Sequence, residues 1–432
     1  MMKSRTMKLL LVSALVLAVA GCASKLDTNF VENNEDFNAL AASSVTTQFS
    51  NQVEDEENEV LIDEEYYKQF PDKSMANDFI ASIQAGVFPE STYKPQVNEV
   101  QANSFLSIFN KKAVIDIYDS YGNTQQAFVT GRVYKKKSIT PTNTGDSKLT
   151  NIIRNIKYFT PDGISNVNVA VMINGSVQTV KTDKKGYFRA TFTGTPIKTG
   201  VNQVSAKLTD DKYKFEVTQE ELVADLHNSD KIGIVSDFDD TVKYTGVHEK
   251  VKMVKHIVLG NYKTDKPYAG TTSLYKGILN GPNGTGFECM HFVTGSPSSL
   301  YDRLQSFLKL NKFPQSSLEM KKPGSSADPN PSDTYEYKVS KMRKILQMYP
   351  NKKFVFFGDT TQKDTEVYST IKKEFPAQTV AIYINNVTKQ EQSNPRFKDV
   401  LLTNSAIDAA QDLFQKGVIT QQVLDQVTSE VR

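Results

Sequence analysis

Ile232-Gly233-Ile234-Val235-Ser236-Asp237-Phe238-Asp239-Asp240-Thr241 is an apolar run that empties straight into a cluster of carboxylates. A short β-rich run of this kind reads as a buried strand, and the carboxyl end of such a strand is where a parallel sheet gathers functional side chains. Placing three acids at that point needs a chemical reason. Asp237 and Asp239 stand at i and i+2, so both can approach one small site. There a hard divalent cation offsets their repulsion, and one of them can act as a nucleophile toward phosphorus.

Working outward, similar apolar runs recur at Met290 to Val293, Phe354 to Phe357 and Thr379 to Ile384, with helical patterns between them. That alternation predicts an α/β fold, a Rossmann-like parallel sheet with helices on both faces. The residues just past the strands are the places to look for chemistry. The second strand ends in Thr294-Gly295-Ser296-Pro297, and the third in Gly358-Asp359-Thr360-Thr361-Gln362-Lys363-Asp364. Tyr337-Lys338 opens a helix running toward Met348, where Lys341, Lys344 and the upstream Lys321-Lys322 are rival lysines. An EF-hand beginning at Asp237 would want Gly and Glu where the chain has Val242 and His248. Gly281 to Gly286 lacks the Lys-Ser/Thr of a phosphate-cradling loop and reads as a turn. Val247 to Leu259 has the stripe of a basic amphipathic helix, read as a surface helix or a small cap.

Upstream, Val114 to Tyr118, Phe128 to Tyr134, Val167 to Ile173 and Tyr187 to Phe192 have strand length and strand composition. Asn174-Gly175 and Asp183-Lys184-Lys185-Gly186 supply turns. These strands predict a small all-β sandwich over 111–219, followed by a helix near Glu220 to Leu226 at the start of the α/β domain, 220–432. Residues 66–110 give only a weak helical pattern, and 23–65 read as a disordered acidic tether.

At the N-terminus, Lys3, Arg5 and Lys8 precede an apolar run, Leu9 to Val19, too short to span a bilayer as a mature helix. This is read as an export signal over 1–22. It closes on Val19-Ala20-Gly21-Cys22, which resembles a bacterial lipobox with Cys22 as the lipidated residue. Ala23 follows, where resemblance to lipoproteins of two-membrane bacteria would take Asp as an inner-membrane signal. The expectation is therefore an outer membrane lipoprotein facing the periplasm, held to the membrane through Cys22. A net charge of +2 makes no case for nucleic acid as a partner. With only Cys22 and Cys289, a disulfide scaffold and a four-cysteine zinc site are both excluded.

Acid pair, hydroxyl, lysine and second acid pair occur in the order typical of haloacid-dehalogenase-like (HAD-like) phosphohydrolases, and a closer resemblance covers nearly everything from Ala113 onward. The chain resembles the two-domain bacterial relatives of the fungal actin-patch-associated phosphatidate phosphatase. The matching residues include Gly131-Arg132-Val133, Thr182-Asp183 with Gly186-Tyr187-Phe188, Ser236 to Thr241, Thr294 to Pro297, and Gly358 to Tyr368. The resemblance implies a magnesium-dependent phosphatase acting on a phospholipid or a small phosphomonoester. In that scheme Asp237 is the nucleophile, Asp239 the acid and base, Thr294 a hydrogen-bond donor to phosphoryl oxygen, and Lys338 a charge stabiliser. The metal falls to Asp237, Asp359 and the main-chain carbonyl of Asp239, with Asp364 behind them or bound through water. Thr241, Gly295 and Ser296 would line the substrate. Two departures stand out, because Ser298 replaces an expected Trp and Tyr337 an expected His. Neither touches the core chemistry; both bear on substrate choice, since the aromatic lost at Ser298 would be a lost lipid contact at the site mouth. A phosphatase for soluble periplasmic phosphates, and a non-catalytic envelope protein binding an unknown partner through its sandwich, are the alternatives.

Overall fold

The computed structural model describes residues 112–123, 125–135, 141–146, 150–151, 154–155, 163–194, 197, 200–209, 214–215, 218–224, 232–245, 260–281 and 290–432. The expectations placed on residues 1–110, including Cys22, and on Val247 to Leu259 lie outside the described residues.

The first eight strands are β1 (Lys112–Gly122), β2 (Gln126–Lys135), β3 (Asn168–Ile173), β4 (Ser176–Lys181), β5 (Tyr187–Thr193), β6 (Gly200–Leu208), β7 (Lys214–Phe215) and β8 (Thr218–Ala224). They form one hydrogen-bonded path in the order β4-β3-β6-β8-β1-β2-β5, with β7 on the side of β1. The junction between β8 and β1 is only two pairs long, Tyr121 with Val223 and Gly122 with Ala224. Both halves supply one apolar core: Ile115, Val129, Phe188 and Phe192 from one, Val169, Val171, Val204 and Ala206 from the other. Period-two alternation explains this, since burying one face of each half against the other removes apolar area from water. The β3–β4 hairpin turns on Asn174 and Gly175, both at positive φ (46° and 88°), as a tight hairpin requires.

One expectation fails here. Glu220 to Leu226 was read as a helix from its polar and long aliphatic residues, but Thr218–Ala224 is a strand paired antiparallel to β6 from Gly200 to Ala206. The open edge of β6 offers a full ladder, which outweighs the weak local preference for helix. The β-domain therefore runs through Ala224, past the 219/220 boundary read from the sequence.

The second sheet contains β9 (Ile232–Ser236), β10 (Met290–Pro297), β11 (Ser317–Lys321), β12 (Lys353–Asp359), β13 (Thr379–Asn385) and β14 (Leu401–Thr403). Its order is β11-β10-β9-β12-β13-β14, and every pairing is parallel. The helices are α1 (Thr271–Asn280), α2 (Tyr301–Leu310), α3 (Thr334–Met348), α4 (Asp364–Glu374), α5 (Ala406–Gln415) and α6 (Gln421–Val431). Successive strand residues are sorted to opposite faces. Ile234, Phe292, Val355 and Tyr383 pack with Leu274 of α1, Leu304 of α2, Leu413 of α5 and Val427 of α6. Their neighbours Val235, Val293, Phe356 and Ile384 pack with Met342 of α3 and Val367 of α4. Both faces of the sheet are covered, as continuous apolar strands demand. β9 lies centrally, so the acids after it emerge between two neighbouring strand ends.

Candidate active site

The amide of Asp237 donates to the carbonyl of Phe357 at 2.8 Å, which continues the β9–β12 ladder one residue past the last strand pair, Ser236 with Phe357. That step brings Asp237 beside the end of β12, where Asp359 is the last residue. Asp364 opens α4 one short loop later, and its Oδ2 accepts from the amide of Asp359 at 3.3 Å. Gly358 makes this approach possible: a Cβ there would lie 2.7 Å from both Asp364 Cβ and Tyr368 Cε2. The result is a buried group, Asp237, Asp359 and Asp364, each offering a carboxylate oxygen within 4.8 Å of the others.

Lys338 reaches this group from the second turn of α3, whose start is capped by Asp333 accepting from the amide of Glu336 at 3.1 Å. Its Nζ lies 2.9 Å from Asp237 Oδ1 and 2.5 Å from Asp364 Oδ1. The rival lysines are elsewhere. Lys341 pairs with Glu319 and Asp328, Lys322 lies by Asp328, and Lys321 donates to Ser332 and Thr334.

Burial, then the charges of Asp364 and Asp239, pushes the Asp237 carboxyl above its ordinary 3.8, against the pull of Lys338. Burial, then Asp364 and Asp237, raises Asp359 well above the same value. Burial works to discharge Lys338, but Asp237, Asp364 and Asp359 outweigh it and hold the ammonium firmly protonated. Three carboxyl groups thus share one ammonium, and full ionisation of Asp237 and Asp359 is opposed unless a further positive charge joins them. Asp237 Oδ2 and Asp359 Oδ2 are buried without a hydrogen-bond partner. An all-oxygen donor set with excess negative charge suits a hard divalent cation. Asp359 Oδ1 is already engaged, accepting from the Thr361 amide at 2.5 Å and from the Thr361 hydroxyl.

The carboxylate of Asp239 is not part of this acidic group. It accepts from the hydroxyl of Ser296 at 2.8 Å and from that of Thr245 at 2.9 Å. The turn behind it is built by Asp240, at φ 55°, whose Oδ1 accepts from the Thr245 amide at 2.7 Å. Asn385, the last residue of β13, donates to the Asp240 carbonyl at 2.8 Å, while its own carbonyl accepts from the Thr360 amide at 3.1 Å. Thr294 is buried at the end of the β10 apolar run, its Oγ1 accepting from the Ser296 amide at 3.1 Å. Gly295 faces Thr334 and Gln362, and a Cβ there would come within 3.2 Å of Thr334 Cγ2. Thr241 is buried, on the wall of a cavity of about 200 Å³ that Tyr268, Tyr275, Gly358 and Asn385 also line and that none of the three acids lines.

Thr245, Asn385 and Thr361 were missed in the sequence. Thr361 lies inside the Gly-Asp motif and was within reach of a closer reading; Thr245 and Asn385 carry no local signal. The expected place of Ser298 at the site mouth needs correction. Ser298 is buried, with its hydroxyl 2.9 Å from that of Tyr187, and Tyr337 is fully buried in the core beneath α3. Neither presents its side chain to solvent.

Residues 232–386 hold every one of these acids and Lys338. They match the family described as phosphatidate phosphatase APP1, catalytic domain. That is the family the sequence resembles. Phosphatidate phosphatase APP1 of Saccharomyces cerevisiae is 29% identical over 155 residues, which cover 35% of this chain and 25% of that protein. An uncharacterized protein of Schizosaccharomyces pombe is 26% identical over 157 residues, 36% of this chain and 25% of that one. The matched part thus spans about a quarter of either curated relative. Among solved structures, the CARDB domain of PF1109 from Pyrococcus furiosus is 19% identical over 27% of this chain and 93% of that one. Its TM-score of 0.16 is too low to carry an argument.

Proposed function

We propose that the chain is a magnesium-dependent phosphatase that hydrolyses a phosphomonoester through an aspartyl-phosphate, with a lipid phosphate such as phosphatidate as the substrate class. The observation that carries this reading is the buried group Asp237, Asp359 and Asp364 with Lys338 between two of its members. It lies at the carboxyl ends of adjacent strands, within the segment matched to the phosphatidate phosphatase catalytic domain.

In this reading an Asp237 oxygen attacks phosphorus, the new oxygen–phosphorus bond forming as the bond to the leaving oxygen breaks. Asp239 gives the leaving oxygen its proton, then takes one from the water that releases phosphate from Asp237. The Ser296 and Thr245 hydroxyls fix the Asp239 carboxylate for both transfers. Lys338 keeps its charge throughout and opposes the negative charge gathering between Asp237 and the phosphoryl oxygens. Thr294, which closes the apolar run of β10, donates to one of those oxygens. Mg2+ would be held by Asp237 and Asp359, with Asp364 beside them, and when bound would neutralise phosphoryl charge. The lipid anchor at Cys22 and the outer membrane location belong to the same proposal, since they would bring the site to its substrate's bilayer.

The test is phosphate release by the full chain from phosphatidate in mixed micelles and from a soluble aryl phosphate, each with and without chelator. Activity on both, lost in chelator and lost in Asp237→Asn with the fold intact, is the expected result. Activity on the aryl phosphate alone would remove the lipid substrate. Substantial turnover by Asp237→Asn would remove the nucleophile.

A further inference from the structure

The motif Thr182-Asp183 with Gly186-Tyr187-Phe188 belongs to the β-domain and has no part in the chemistry above, yet two of its side chains, Asp183 and Tyr187, reach the α/β domain. The turn from Asp183 to Gly186 is closed by the Gly186 amide on the Asp183 carbonyl at 3.0 Å and by the Asp183 amide on the Tyr187 carbonyl at 2.8 Å. Gly186 takes φ 84°, and a Cβ on it would lie 2.3 Å from the Val133 carbonyl oxygen, so the turn is pressed against β2. Within that frame Asp183 divides its two oxygens. Oδ1 accepts from the amides of Lys185 and Tyr187, at 2.8 and 2.9 Å, and so stays inside the turn. Oδ2 accepts from the Ser325 hydroxyl at 3.1 Å and from the amides of Ser326 and Ala327 at 2.8 and 3.2 Å, all on the segment joining β11 to α3.

A second grip lies farther along β5. Arg189 Nη1 is 3.0 Å from Asp328 Oδ1, and its guanidinium is stacked 4.5 Å over the Phe128 ring. The other Asp328 oxygen is 2.9 Å from Lys341 Nζ and 3.2 Å from Lys322 Nζ. Lys341 is one turn beyond Lys338 on α3 and is itself 2.9 Å from Glu319 of β11. Asp328 is thus a bridge, one oxygen to the β-domain and one to the helix that carries the site lysine. A third contact, the Tyr187 hydroxyl on that of Ser298 at 2.9 Å, meets the chain just after Thr294 to Pro297. The β4–β5 turn and the start of β5 therefore touch both the segment leading into α3 and the chain just after β10.

We propose that Asp183 and Arg189 are positioning residues for the phosphatase site, setting the place of Lys338 through Asp328 and Lys341. The proposal rests on the role given to Lys338 above. It makes the β-domain a working part of the enzyme, required for turnover. A static ion pair buried among its partners has few alternative geometries, so release of one end lets α3 shift, and a displacement of about 1 Å at a reacting group costs on the order of 100-fold in rate.

The experiment compares the full chain with Asp183→Asn, Arg189→Met and Arg189→Lys, reading kcat and KM per folded molecule on the aryl phosphate, with thermal melts alongside. Asn at 183 would turn an amine toward donors that need an acceptor, while Lys at 189 keeps the charge facing Asp328. The expected result is a fall in kcat of roughly 10- to 100-fold for Asp183→Asn and Arg189→Met, KM within about twofold, and most of the loss recovered in Arg189→Lys. Unchanged kcat in folded variants overturns the proposal, as does a lowered melting temperature with full turnover, or an Arg189→Lys as slow as Arg189→Met. Should Asp183→Asn not fold, the Arg189 pair decides alone. The parent reading has its own control: if Asp237→Asn or Lys338→Met keeps wild-type turnover, the site assignment fails before the β4–β5 turn is considered.

Discussion

Replacing Lys338 by Met separates the charge of the site from its packing. Met occupies nearly the same volume as the lysine stem, so the surroundings of this fully buried side chain lose little contact. What goes is the ammonium at 2.9 Å from Asp237 and 2.5 Å from Asp364. Three carboxylates whose oxygens lie within 4.8 Å of one another then have no fixed counter-charge. Removing one partner of a buried, hydrogen-bonded ion pair costs about 3–5 kcal/mol. For a domain of this size that is roughly a 10 °C fall in melting temperature. The loss should be read in chelator. Magnesium should then restore stability, because a ligand at a hundred times its Kd adds about 2.7 kcal/mol. It should restore more in the variant than in the wild type, since the competing ammonium is gone. Turnover should fall by about 100- to 1,000-fold, the usual consequence of deleting one group that stabilises transition-state charge. A variant within about 1 kcal/mol of wild type in chelator, set against the 3–5 kcal/mol of a broken buried pair, would refute the electrostatic account of the site.

Gly358→Ala should destabilise by about 1–3 kcal/mol through overpacking, and lower kcat by moving Asp364, since its Cβ has no room beside Asp364 and Tyr368; denaturant titration and kinetics on one preparation check both. Asp116→Asn should flatten part of the pH dependence of stability. Burial, then the charge of Asp302, raises Asp116 from 3.8 to about 8, against hydrogen bonds from Tyr134 and Tyr118. The contribution of this group is therefore complete below about pH 4 and is lost as pH climbs toward 8. Urea midpoints at pH 5 and pH 8 should lie closer together in the variant than in the wild type, and an unchanged gap would count against a raised Asp116.

Much of the catalytic domain was legible because its information is local. Ile232 to Val235 and Phe354 to Phe357 are apolar on both faces, and that pattern has one home, a sheet covered on both sides. Asp237, Thr294 and Asp359 were found because each directly follows such a run. Lys338 was harder, since several lysines share its helix and its neighbourhood, and only the geometry distinguishes it from Lys341. The edge strands Ser317–Lys321 and Leu401–Thr403 were not seen, being short, and in the first case carrying Glu319 and Lys321 in a place usually left to apolar residues. Glu319 is buried there only because Lys341 and Lys322 face it. The strand Thr218–Ala224 was misread for the opposite reason. Its residues prefer helix locally, and its partner β6, which ends close upstream at Leu208, was itself not among the strands read from the sequence. Asn385 and Thr245 act by bonding across loops, so nothing near them announces a role.

The acids of the site leave the ends of β9 and β12, with the hydroxyl group arriving from β10 and the ammonium from α3. No contiguous piece of chain contains a working fraction of it. During folding these carboxylates can remain hydrated and far apart until distant strands have paired, so the mutual repulsion is deferred to the last stage, when most apolar area is already covered. Assembly of this kind depends on contacts between remote parts of the chain, which sets its pace below that of local structure.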